Sequence, residues 1–145
     1  MPVPSLVSAQ ELARVAEKSY ASQSFQVALV DAPGSDFEPD DAFSTIIAGE
    51  VTEGLGGYTR QTIAFLTSDI GLYQDGKTEL ARKAATFEHN GNSGELIKFS
   101  HVVLISPNGA TATSTTKLAA RATLSDGQSA VFYFDFTLYG VFVAS

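Results

Sequence analysis

From Ser24 to the C-terminus, apolar residues recur with period two, and this feature excludes most folds. A strand with one face in a core repeats every second residue, whereas a helix repeats every 3.6. In "SFQVALV", Phe25, Val27 and Leu29 share a face. "FSTIIAGEV" is a second strand candidate. "GYTRQTIAFL" is a third, with Gln61, Ile63 and Phe65 opposite Arg60, Thr62 and Ala64. "GLYQ" is short. "ELARKAATFEHN" sets Ala81, Lys83, Ala85 and Phe87 against Leu80, Arg82, Ala84 and Thr86. "LIKFSHVVLIS" sets Ile97, Phe99, His101, Val103 and Ile105 against Lys98, Ser100, Val102 and Leu104. "TKLAARATL" turns Leu118, Ala120, Ala122 and Leu124 inward. A late aromatic strand closes the chain, with Phe132, Phe134, Phe136 and Leu138 on one side.

The punctuation agrees with the strands. Asp75-Gly76, Asn90-Gly91, Asn108-Gly109 and Asp126-Gly127 are favoured hairpin dipeptides, because type I′ turns need positive φ at both central residues. Asp126-Gly127 is expected to close a two-residue hairpin, and the others to lie within longer loops such as "HNGNSGE" and "SPNGATATS". Roughly eight strands with regular turns predict an all-β chain, an antiparallel sandwich or barrel. No fixed repeat emerges, which disfavours a propeller or solenoid.

Residues 1–23 read differently from 24–145, which gives an N-terminal arm and helix followed by a β-domain. Pro2 and Pro4 remove amide donors and bias their predecessors away from helix, so Pro2, Val3, Pro4 and Leu6 form an extended arm able to reach a partner. Ser8 and Glu11 are spaced as a capping box. The helix they open carries Leu12, Val15, Ala16 and Tyr20 on one stripe and must dock on something.

The chain has 145 residues, enough for one self-sufficient core, and no cysteine. Charged residues make up 17%, below the usual share of about a quarter, which suits a surface partly hidden in an assembly. A net charge of −7 argues against nonspecific nucleic-acid binding, which needs a basic surface. No apolar run approaches the ~20 residues of a membrane span, and no signal-peptide core follows Met1. The expectation is a soluble, unprocessed protein with no nucleic-acid or membrane partner.

Chemistry is scarce. His101 lies on an apolar face and is expected to be a neutral core histidine bonded to backbone. His89 adjoins Asn90-Gly91 and is expected to be solvated, with Glu88 on the opposite face, so no metal is assigned. The acidic stretch "DAPGSDFEPDD" lacks the alternating spacing of a calcium loop and reads as a solvated loop. "GEVTEGLGGYTRQ" has glycines but no following helix, so no phosphate cradle is expected; Gly57 marks a bulge or close packing. Neither catalytic nor cofactor-binding residues are assigned.

The late strand carries the main functional clue. Its second face should be polar if it meets water, yet Val131, Tyr133 and Tyr139 lie there beside Asp135 and Thr137. Either a neighbouring subunit or the N-terminal segment of the same chain covers them.

The strings "FQVALV", "GLGGYTRQTI", "ATFEHN" and "IKFSHVVLI", with the acidic loop and late aromatic strand, give the chain a familiar texture from about Phe25 onward. It resembles the small structural proteins of tailed bacteriophages, including cyanophages: capsid decoration (cement) proteins and head or tail fibre modules. The resemblance implies a jelly-roll-like β-sandwich, a homotrimer on the virion surface, assembly in the host cytoplasm, and no enzymatic activity. The partner implied is the major capsid protein. Alternatives are a fibre or baseplate module contacting the host, or a jelly-roll carbohydrate-binding domain using Tyr58, Tyr73 and the acidic loop. A cupin-like enzyme would need more histidines than His89 and His101.

Overall fold

The computed structural model describes residues 3–6, 14–15, 18–21, 23–73, 77–139 and 141–144. At 3–6, 71–73, 77–81, 136–139 and 141–144 the description is of the backbone. Nine strands occur among these residues: β1 (Val3–Leu6), β2 (Ser24–Val30), β3 (Gln61–Ala64), β4 (Ile70–Tyr73), β5 (Lys77–Glu88), β6 (Ile97–Ile105), β7 (Ala112–Leu124), β8 (Ser129–Tyr139) and β9 (Val141–Ala144). They form sheets of order β3-β2-β6-β7, β4-β5-β8 and β1-β9. The chain is all-β, and its strand registers run antiparallel.

Two compact units result. One comprises Phe25–Ile63 and Ala85–Phe132; the other comprises Met1–Ser24, Ala64–Ala84 and Tyr133–Ser145. The first is built on β2 and β6, paired as Val27↔Leu104 and Leu29↔Val102. From Val27 to Val30 and from Phe99 to Ile105 every residue is buried, so these strands are covered on both faces. The strict alternation expected for β6 is therefore absent. On one face Ala28, Val30, Val103 and Ile105 pack with Ile46, and Phe37, Phe43 and Ile47 complete the cluster. Elsewhere in this unit Phe132 meets Phe87 and Phe99 edge-on at 6.2 and 5.9 Å between ring centroids.

The segment expected as a strand over "FSTIIAGEV" is instead a one-turn helix, Phe43–Ile47. Phe43, Ile46 and Ile47 stand at i, i+3 and i+4, and that spacing lays all three on the β2–β6 cluster. Only Glu50 retains a bridge, to Val30.

The inward set expected on β7 fails for a local reason. Phe99 pairs with Ala122 but His101 pairs with Lys117, so Leu118–Arg121 stand opposite Ser100 alone. This bulge breaks the alternation. Ala120 is exposed, Leu118 and Ala122 are half-buried, and only Leu124 is buried. On β5 Ala85 and Phe87 are buried as expected, whereas Lys83 is half-buried and pairs with Asp69 at 2.9 Å.

Asp126 and Gly127 adopt positive φ of 49° and 78°, and Gln128 N–H donates to Ser125 O at 2.9 Å. The turn is as expected but the hairpin is not. It passes the chain from β7 to β8, which belongs to the other sheet beside β5.

In the second unit β1 pairs with β9, from Val3↔Ala144 to Leu6↔Val141. The proline-rich arm is extended, as proline requires, but its backbone is tied to the chain's own last strand and is not a free extension. Arg14, Val15, Lys18 and Ser19 are helical, with Val15 exposed. Pro2, the Ser8–Glu11 capping box, Leu12 and Ala16 lie outside the described residues, as does the Asp75-Gly76 turn.

Candidate functional site

On β8 the described side chains of the outward face, Val131, Tyr133 and Asp135, are open. Val131 is 44% and Tyr133 62% exposed. The Arg82 guanidinium lies 5.5 Å from the centroid of the Tyr133 ring, and Arg82 Nε is 3.6 Å from Asp135 Oδ2. The pattern of a strand facing outward supplies the aromatic ring, and neighbouring β5 supplies the cation. A guanidinium over a ring is attractive because the ring face is electronegative. Tyrosine and arginine together are also what protein interfaces enrich. The side chain of Tyr139 lies outside the described residues.

The second open feature is a groove of about 530 Å³ in the unit built on β2 and β6. Phe37, Phe43 and Ile46 give it an apolar floor, and Glu38, Asp40 and Asp41 an acidic rim. Its far wall is the start of β7. The acidic loop is shaped by its own bonds: Asp41 Oδ2 accepts from Glu38 N–H at 2.7 Å. Two of its carboxylates, Asp31 and Asp36, are spent on β7. Asp36 binds Lys117 Nζ at 2.6 Å, and Asp31 accepts from Arg121 Nε at 2.9 Å and from Nη2. The Lys117 ammonium holds the Asp36 carboxyl below its ordinary value, through the hydrogen bond first and then through charge. The loop expected to be simply solvated is thus half anchored and half free.

Both histidines and Ser100 are committed to the scaffold. His101 is 1% exposed. Its Nε2–H donates to the Ser35 carbonyl at 3.1 Å, so in the neutral ring Nδ1 accepts from the Ser100 hydroxyl at 2.7 Å. Ser100 Oγ also accepts from Ala32 N–H at 2.8 Å. A serine bonded to an imidazole is the geometry of an activated nucleophile, but Ser100 is 4% exposed and its oxygen is held by backbone. The pair fastens the acidic loop to β6. The two are sequence neighbours on β6, and they meet where its register with β7 shifts.

His89 corrects the expectation of a solvated ring: it is 2% exposed. Nδ1 accepts from Gly91 N–H at 2.9 Å, and Nε2–H donates to the Glu95 carbonyl. Gly56, at φ 58°, packs on this ring; a Cβ there would lie 2.8 Å from His89 Cδ2. A Cβ on Gly57 would lie 2.9 Å from Asn90 Cβ, so the close packing expected at Gly57 is present. The glycine-rich loop therefore serves as the lid of a buried histidine.

Glu50, Tyr58 and Arg60 form a network that sequence reasoning missed. Glu50 Oε2 accepts from Tyr58 Oη at 2.7 Å and Arg60 Nε at 2.8 Å, and Oε1 accepts from Arg60 Nη2 at 2.7 Å. Tyr58 Oη accepts in turn from Leu29 N–H at 3.1 Å. Burial alone raises the Glu50 carboxyl, but the hydrogen bonds from Arg60 and Tyr58 outweigh it and hold the group below its ordinary range. Burial, and then the Glu50 carboxylate, push the Tyr58 hydroxyl far above its ordinary value. Tyr58 is 2% exposed, which withdraws it from the sugar-stacking role. The side chain of Tyr73 lies outside the described residues. The available signal was Arg60 two residues after Tyr58 on an extended segment, which puts both on one face.

Among the described residues no cluster of three or more histidines and carboxylates is placed to hold a metal ion. Comparison with protein-family models, with curated proteins and with solved structures gives no match to this chain.

Proposed function

We propose that the chain is a structural binding protein acting through its outer strands, and specifically a capsid decoration protein of a tailed phage. The observation that carries this reading is the open aromatic on β8: Tyr133, 62% exposed on a strand whose alternate residue Phe132 packs inward. Monomeric surfaces tolerate single exposed apolar residues, but Tyr133 beneath the Arg82 guanidinium pairs the two residue types that interfaces enrich. In this reading Val131, Tyr133 and Tyr139 meet a neighbouring copy, the trimer sits on the major capsid protein at the virion surface, and assembly occurs in the host cytoplasm. A jelly-roll-like sandwich is the finer form of the fold that belongs to it. The trimer works by avidity, because three weak footprints on one rigid body act together.

The histidines and Ser100 support a non-catalytic role, since each is buried and bonded to backbone. A fibre or baseplate module would use the same face against a host. Carbohydrate binding is the weaker alternative, having lost Tyr58 to the core. The test is co-sedimentation with empty, undecorated phage heads. The expected result is pelleting that saturates at a fixed copy number per head. Protein remaining in the supernatant at every head concentration would contradict the capsid reading.

A further inference from the structure

We infer that the first half of β7, Ala112–Thr116, is a docking edge for an extended, lysine- or arginine-bearing segment of another protein. The segment adds as a further strand and points alternate side chains into the acidic groove. The inference does not depend on what β8 binds.

β7 is the last strand in the order β3-β2-β6-β7, so among the described residues one side of its backbone has no strand partner. An edge strand exposes a row of unpaired N–H and C=O groups, and proteins blunt such rows with charge, proline or bulges. The second half of β7 is blunted in this way. Lys117 is pinned to Asp36, Leu118–Arg121 bulge out of register, and Arg121 is pinned to Asp31. The first half, "ATSTT", contains no charge, proline or glycine. Apart from its ladder with β6, no hydrogen bond to its main chain occurs among the described residues.

This open half is also the wall of the groove. An added strand rises ~3.3 Å per residue and turns every second side chain to the same face. Main-chain bonds then supply affinity, and the pockets met by alternate side chains supply specificity. The chemistry of the groove selects the occupant. Among the described residues Glu38, Asp40 and Asp41 have no ion-pair partner, whereas Asp31 and Asp36 of the same loop do. Phe37, Phe43 and Ile46 beneath them accommodate the aliphatic stem of a lysine or arginine while its charge reaches the rim. A second copy of this chain is a poor occupant. Edge-to-edge pairing would bring two identical acidic rims together, on chains of formal charge −7.

The test uses the full chain and three labelled ten-residue peptides, followed by fluorescence anisotropy and by hydrogen exchange of the protein. The first alternates threonine with lysine. The second is the same peptide N-methylated at alternate residues along one edge. The third carries glutamate in place of lysine. The first peptide should bind and slow exchange at Ala112–Thr116. N-methylation should weaken it at least tenfold, and the glutamate peptide should not bind. The double variant Glu38→Gln/Asp40→Asn, in exposed loop positions, should weaken the lysine peptide at least several-fold. Equal binding of the N-methylated peptide would reduce the effect to charge adsorption and overturn the inference. So would protection confined to other strands, or no binding of the lysine peptide at millimolar concentration. Concentration-dependent self-association protecting the same amides without peptide would give the edge to a second copy, which also overturns it.

Discussion

β6 and β7 are hydrogen-bonded neighbours of nearly opposite character. β6 is buried at every position but Lys98, and β7 is buried only at Leu124. Composition separates them in part, since β6 carries six large apolar residues in nine and β7 only two in thirteen. Position in the sheet does the rest. β6 lies between β2 and β7 with material on both faces, whereas β7 ends the sheet and bulges away from register opposite Ser100. The first strand holds the unit together, and the second forms the margin of its sheet.

The largest expected effect lies on β6. Phe99→Ala empties a site that is 1% exposed and packs on Phe132, and should cost about 3–5 kcal/mol in denaturant unfolding. A loss under 1 kcal/mol would erase the contrast between the strands. Ser100→Ala should follow at about 1–3 kcal/mol, because it leaves the part-buried Ala32 N–H and the buried His101 Nδ1 without their partner.

Acid sharpens the same division between core and surface. The folded Glu50 carboxyl is held below its ordinary value of 4.5, so the stability it contributes is fully present above that pH. It should be lost as pH falls below 4.5 toward and through the depressed folded value. Glu50→Gln should flatten that part of a plot of Tm against pH, while lowering Tm at neutral pH. An acid limb unchanged by the substitution would place the titration elsewhere. The smallest effect belongs to β7. Ala120→Lys, on the exposed bulge, should stay within about 0.5 kcal/mol of the parent in the same unfolding assay.

The all-β class was legible because alternation at Phe25 and Val27 about exposed Gln26, or at Ala85 and Phe87 about exposed Thr86, reports a face directly. What failed were the places where one signal carries two meanings. Phe43, Ile46 and Ile47 fit a strand window by hydrophobicity and a helical face by spacing, and the β2–β6 cluster decided for the helix. Asp126-Gly127 encoded its turn but not the sheet its strands would join, because the pairing of β8 beside β5 is a long-range fact. His89 looked solvated from its turn neighbours, and its burial depends on Gly56, distant in sequence. The groove was illegible for the same reason: the acidic loop and the start of β7 are far apart in the chain. Alternation with Phe132 set Val131 and Tyr133 on the second face of β8, but whether the chain itself covers them was not legible, and the structure leaves both exposed.

The central claim is that this face exists to meet another copy, and oligomeric state tests it directly. Light scattering on the parent and on Tyr133→Lys, with circular dichroism on both, is the measurement. At 62% exposure the substitution should shift the stability of the isolated chain by no more than about 0.5 kcal/mol. Burying an unpaired ammonium in an interface costs several kcal/mol. The expected result is a trimeric parent and a folded, monomeric variant with parental β-structure. A parent that remains a 15.3 kDa monomer at every concentration would contradict it. A variant that stays trimeric and melts like the parent would do the same.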